Sequence, residues 1–113
     1  MPQKESRLKK TKEFEEVFSK GKGFRQGGLF LKVKEGTEGG SKFGIVVSKK
    51  VSKQATARNR MRRLIREALR QEREQIKNGA EAVIVVLPEF KENDFKEVQT
   101  YVHNLLKKAS LFQ

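Results

Sequence analysis

The stretch "KFGIVVSKKVSKQATARNRMRRLIREALRQEREQIKNGAEAVIVVLPE", Lys42 to Glu89, carries three signals in succession. Its first segment, "KFGIVVSKK", is almost continuously apolar up to Val47, which reads as a strand interior to a sheet. From Met61 the residues Met61, Leu64, Ile65, Ala68, Leu69 and Ile76 recur at helical spacing over about four turns. Asn78-Gly79 is a helix stop. "AEAVIVVLPE" follows as a strand apolar on both faces, hence central, and Pro88 ends it. Strand, long helix, strand demands a crossover with the two strands parallel or nearly so. General rules draw that crossover right-handed.

Upstream, Phe14, Val17 and Phe18 stripe a short helix from Thr11 to Lys20, with Thr11 as N-cap and Gly21 just past its end. "KGKGFRQGG" reads as a basic, glycine-rich connection. In "GLFLKVKE" the residues Leu29, Leu31 and Val33 alternate with Phe30, Lys32 and Lys34, the pattern of a strand. "EGTEGGS", Glu35 to Ser41, is a flexible turn to which no function is assigned. Downstream, Asp94 and Glu97 form a capping box before a helix striped by Phe95, Val98, Val102, Leu105, Leu106 and Ala109. The order α-β-β-α-β-α, with room for one further short strand, predicts an α+β fold: one small sheet packed by helices, in a single domain over residues 1–113.

Charge sets the class of partner. The chain has 26 Lys and Arg against 14 Asp and Glu, a formal net charge of +12 on 113 residues. Such self-repulsion disfavours a compact state and points to a polyanion, with nucleic acid the leading candidate. There are no cysteines, so disulfides, thiolate metal sites and cysteine nucleophiles are excluded. No secretory signal and no membrane-length apolar run is read, so the expectation is a soluble, cytoplasmic protein with no membrane partner.

Six of the nine arginines and none of the seventeen lysines fall in Thr56 to Arg70. Asn59, Arg62, Arg63, Arg66, Arg70 and Arg73 share an arc of roughly 100° opposite the apolar set. The ordinary alternative is a solvated helix face. Such a face interleaves acids at i, i+4, whereas Arg62, Arg66 and Arg70 make a like-charged stripe that calls for a counter-charge from outside. Guanidiniums on a rigid ridge suit a folded phosphate backbone, through bidentate bonds and stacking. Just before the ridge, Ser48, Lys49, Lys50, Ser52 and Lys53 place hydroxyls and ammoniums near a helix N-terminus, where backbone donors add to the field.

Phe14, Phe18, Phe24 and Phe30 lie among Lys12, Lys20, Lys22, Arg25 and Lys32. Rings beside cations make a platform for unstacked bases; by pattern alone Phe14 and Phe18, at i, i+4, are more often simply core residues. No catalytic motif is present, and the single histidine, His103, is expected in a packing or surface role. Any enzyme chemistry must come from elsewhere, most simply from RNA and its metal ions.

At "ARNRMRRLIREALR" the sequence resembles the protein subunit of bacterial ribonuclease P, whose mark is an R-N-R helix, here Arg58-Asn59-Arg60. "RLKKTKEFEEVFSKG" and "GIVVSKKVSKQATARNR" extend the resemblance in order along nearly the whole chain. The resemblance implies a protein that binds a catalytic RNA and helps it remove the 5′ leader of precursor tRNA, with the RNA carrying the chemistry. It implies no protein-bound cofactor, Mg²⁺ through the RNA, and no DNA partner. Matched by position, Arg58, Asn59, Arg60, Arg62, Arg63 and Arg66 contact the catalytic RNA, and Arg70 continues that ridge. Phe14, Phe18, Ser48, Lys49, Lys50 and Lys53 line a cleft for the single-stranded leader. Where members carry an aromatic residue facing that cleft, this chain has Lys32; either Phe30 replaces it or Lys32 meets leader phosphate. The implied fold is similar to the second domain of a small-subunit ribosomal protein, with a left-handed β-α-β crossover in place of the right-handed default. The alternative function is a ribosomal or other structural RNA-binding protein with no part in cleavage. A DNA reader lacks the helix-turn-helix setting, and a protein nuclease lacks catalytic groups.

Overall fold

The computed structural model describes residues 11–35, 40–90 and 95–112. Helix α1 (Thr11–Lys20) leads into strands β1 (Lys22–Gln26), β2 (Leu29–Glu35) and β3 (Lys42–Val47). Helix α2 (Ala55–Glu72), a single 3-10 turn, strand β4 (Ala80–Val86) and helix α3 (Phe95–Lys108) follow. The strands form one sheet in the order β1-β2-β4-β3. β1, β2 and β4 are antiparallel neighbours, and β3 runs parallel to β4, as a strand–helix–strand crossover requires.

Alternation along β2 fixes the two faces. Leu29, Leu31 and Val33 are buried, and Phe30, Lys32 and Lys34 are half-buried on the other side. The first set joins Phe43, Ile45 and Val47 of β3, Ala82, Ile84 and Val86 of β4, and the apolar stripes of α2 and α3 in the main core. On the opposite face Val17 of α1 packs on Val83 of β4, flanked by Phe14, Val46 and Val85. The sheet is thus covered by two helices on one face and by α1 on the other.

The central position of β4 agrees with its apolar run, but three local expectations are corrected. First, "KGKGFRQGG" contains strand β1. Gly27 and Gly28, with φ of +57° and +84°, close a two-residue hairpin in which Gln26 pairs with Leu29; glycine adopts this primed turn at no steric cost. Only Phe24 of β1 packs against the main core, so the strand has almost no apolar signal. Phe24 is therefore on the opposite face from the other N-terminal rings. Second, β3 is an edge strand, not an interior one. Its apolar run reports cover above and below, not a neighbour on each side. Third, Ile76 lies beyond α2 and bridges to Phe112. Asp94 of the capping box and most of the Glu35–Ser41 turn lie outside the described residues.

Gly21 follows α1, and its N–H donates to Val17 O at 2.8 Å. A Cβ there would stand 2.5 Å from Val17 O and 2.7 Å from Val33 O. The glycine is required by close backbone approach between α1 and β2, not by a left-handed φ.

Candidate nucleic-acid interface

Helix α2 buries Met61, Ile65, Ala68, Leu69 and Glu72. Asn59, Arg60, Arg63 and Arg70 are exposed on it, Arg62 and Arg66 are half-buried, and Arg73, also half-buried, begins the 3-10 turn that follows. The ridge is ordered by its own contacts. Arg62 Nη1 donates to Asn59 Oδ1 at 2.6 Å. Arg70 donates from Nε and Nη2 to Glu67 at 2.9–3.1 Å. That bond, with a further one from Gln71, holds the Glu67 carboxyl below the usual carboxylate range. The counter-charge expected from outside is therefore already present at Arg70. The i, i+4 reading missed it because the pair is spaced i, i+3.

Arg58 lies apart from the ridge. Its Nη1 donates to Ser52 O at 3.0 Å, tying the first turn of α2 to the loop before it. Within that loop Val51 N–H donates to Ser48 O at 3.1 Å, closing a turn, and half-buried Val51 packs on the core. Ser48, Lys49, Lys50 and Lys53 are consequently exposed at the end of β3. The first turn of α2 has no acidic residue, and Gln54 at its N-cap makes no side-chain cap.

The face under α1 brings the remaining predicted residues together. Two of the three glutamates of α1 face Lys34 and Lys42: Lys34 Nζ is 3.0 Å from Glu16 Oε1, and Lys42 Nζ is 3.6 Å from Glu13 Oε2. Phe14 and Phe18 follow on the neighbouring side of the helix, at its helical spacing. Phe14 is half-buried against Val17 and Val83, and Phe18 is 39% exposed. Beneath that side the sheet presents Phe30, Val85 and Val46, which stand opposite one another across β2, β4 and β3. The ring of Phe30 fills the space where a Cβ on Gly23 would come within 2.7 Å. Lys32 differs: its Nζ donates to Gly21 O at 3.2 Å, anchoring the chain just past the end of α1, where a cation is favoured. Of the two candidates on β2, Phe30 is the one in the open row. Phe14, Phe18 and Phe30 thus stand beside an apolar strip of the sheet next to α1, and β3 leads from that strip into the Ser48–Lys53 loop.

His103 has a packing role. Its Nδ1 lies 3.3 Å from Glu72 Oε1, linking α3 to α2, and its ring centroid is 5.0 Å from that of Phe112. Among the described residues no helix is long and apolar enough to cross a membrane.

Comparison with known proteins gives one answer. The family model "Ribonuclease P" matches residues 1–110. A ribonuclease P protein component of Clostridium botulinum is 34% identical over 110 residues, covering 96% of this chain and 98% of that protein. One from Synechocystis is 44% identical over 84 residues, covering 74% of this chain and 68% of the relative. The structure of the Staphylococcus aureus RNase P protein superposes with a TM-score of 0.86 at 25% identity, covering 97% of this chain and 100% of that one. The Thermotoga maritima protein gives 0.80 at 30% identity, covering 91% and 96%. With this α+β architecture shared, the chain belongs to the ribonuclease P protein family and is a protein subunit of that tRNA-processing endoribonuclease.

Proposed function

We propose that the chain docks the catalytic RNA through the outer face of α2 and holds the single-stranded 5′ leader of precursor tRNA in a groove beside α1. The observation that carries this reading is the juxtaposition beside α1 of exposed Phe18 with half-buried Phe14 and Phe30, on a sheet face whose edge strand β3 runs into a cationic loop. Rings stack on bases of any identity, and ammoniums and hydroxyls meet phosphate, so such a groove binds a strand without reading its sequence. Arg62 and Arg63 stand on the outer face of α2 as an array for folded RNA, with half-buried Arg66 beside them; Arg58 and Asn59 orient the array and its neighbouring loop. Hydrolysis belongs to the RNA and its Mg²⁺ ions, and the protein contributes affinity and orientation of the substrate.

The test is cleavage of precursor tRNA at low magnesium by a bacterial ribonuclease P RNA, with and without this protein. Stimulation of cleavage is expected, with affinity raised more for leader-bearing substrate than for mature tRNA. Absence of stimulation at every salt concentration returns the chain to a structural RNA-binding role, and cleavage by protein alone restores a protein nuclease.

A further inference from the structure

Four residues form one transverse row on the α1 face: Arg25 stands opposite Phe30, Phe30 opposite Val85, and Val85 beside Val46. The cations in the rows beneath α1 are engaged within the protein. Lys32 bonds the Gly21 carbonyl, Lys34 bonds Glu16, and Lys42 pairs with Glu13. Arg25 is different. It is exposed, and no hydrogen bond or ion pair of its guanidinium is formed among the described residues. Its backbone is firmly placed, paired to Phe30 and accepting a hydrogen bond at 2.9 Å from Lys108 Nζ, which also bonds Gln26 Oε1.

The row therefore has an aromatic and apolar middle, internally neutralised flanks, and cations at both ends: the Ser48–Lys53 loop beyond β3, and Arg25 on β1. Three inter-strand steps of ~4.8 Å make it roughly 14 Å long. That charge pattern suits an extended polyanion lying parallel to α1, with bases against the rings and phosphates at the ends.

We infer that Arg25 is a further substrate-binding residue, holding a phosphate in the 5′-distal part of the leader, so that the strand crosses the sheet from the Ser48–Lys53 loop to β1. The polarity rests on the proposed docking of the catalytic RNA on α2, to which Arg58 ties that loop. Leader nucleotides nearest the scissile bond lie at the loop end, and the free 5′ end lies toward Arg25. The inference rests on the groove reading proposed above.

The experiment uses holoenzyme reconstituted with a bacterial ribonuclease P RNA, mature tRNA, and precursor tRNAs with leaders of increasing length. Affinity is measured over a salt series for wild type, Arg25→Ala, Arg25→Lys and Phe18→Ala. Arg25→Ala is expected to weaken long-leader substrates about two- to fivefold, the range of an exposed ionic contact. It should lower their salt slope by about 0.7, the value for one phosphate on a single strand. Mature tRNA and the shortest leaders should be unaffected, and Arg25→Lys should restore most of the affinity. Arg25→Ala equal to wild type at every leader length, while Phe18→Ala still discriminates, overturns the assignment and leaves the groove standing. An equal weakening on mature tRNA also overturns it, moving Arg25 to another RNA surface. If Phe18→Ala fails to distinguish leader-bearing from mature tRNA, the groove reading itself falls, and Arg25 with it.

Discussion

Lys34 Nζ on β2 lies 3.0 Å from Glu16 Oε1 on α1 and 4.0 Å from Glu81 Oε1 on β4, so one ammonium joins the helix to two strands. Lys42 and Glu13 make a parallel contact from β3. Exposed ion pairs contribute little stability individually. Their position matters more: α1 has Val17 as its one buried side chain, and two ties on one side of the helix fix its rotation. That rotation decides where Phe14 and Phe18 point.

The Lys34 hydrogen bond is the main reason the Glu16 carboxyl titrates below the ordinary carboxylate range, and the same bond raises Lys34. The contribution of Glu16 is complete above the unfolded glutamate value, ~4.3, and is lost as pH falls through the lowered native value. That of Lys34 is complete below the ordinary lysine value and is lost as pH rises through the raised one. Glu16→Gln should therefore melt slightly lower than wild type at neutral pH, with the difference vanishing at strongly acid pH. Thermal melts across pH provide the check; a difference that persists in acid would assign the effect to packing.

Gly21→Ala should destabilise the fold by about 1–3 kcal/mol, the usual cost of overpacking. The new methyl meets two backbone carbonyl oxygens, of Val17 and Val33, and neither can swing aside as a flexible side chain would. Urea denaturation measures the change in stability, and hydrogen exchange should place it at the end of α1.

Phe18→Ala should weaken leader-bearing substrate by ~1–3 kcal/mol, the range for removing one base–aromatic stack, while leaving mature tRNA unchanged. Its ring is 39% exposed, so stability should be little affected. Phe14→Ala should weaken leader binding and also lower stability, because Phe14 packs against Val17 and Val83. Substrate affinity and melting temperature, measured on both variants, separate the two roles.

Arg62→Ala combined with Arg63→Ala should weaken catalytic-RNA binding and flatten its salt dependence, by up to ~0.9 in slope for every phosphate no longer neutralised. Arg70→Ala should flatten it less, because Glu67 already neutralises that guanidinium. Glu67→Gln should strengthen binding. Equal slopes for all variants and wild type would mean that the face is merely solvated.

The elements carried by long periodic runs were legible in the chain: α1, α2, β2, the central β4 and α3 stand where the apolar spacing puts them. What was hidden depends on partners distant in sequence. β1 is a strand because β2 pairs with it and the Gly27-Gly28 turn folds it back; its own residues carry no strand period. The edge position of β3 follows from which strand enters between it and β2. In the site, residue types were legible but their commitments were not. Nothing in "LFLKVK" says that Lys32 and Lys34 are engaged by a carbonyl just past α1 and a carboxylate on it, leaving Phe30 in the open row. Arg58 was joined to the RNA-binding residues only by resemblance, and its bond to the Ser52 carbonyl ties it to the loop.

The strand order β1-β2-β4-β3 also governs when the protein can fold as it is synthesised. The β1–β2 hairpin can close early, yet the register partners of Leu29 and Val47 are both Val86. Neither β2 nor β3 has its β4 neighbour until the ribosome has passed that residue. Pairings this remote in sequence pay their loop-closure entropy before any contact rewards it, which makes folding slow relative to local assembly. Until β4 enters, Phe14, Val17 and Phe30 have no floor to rest on. The nascent chain thus emerges with its basic α2 segment already made and its substrate groove still unbuilt, a period in which RNA could engage the helix before the sheet is complete.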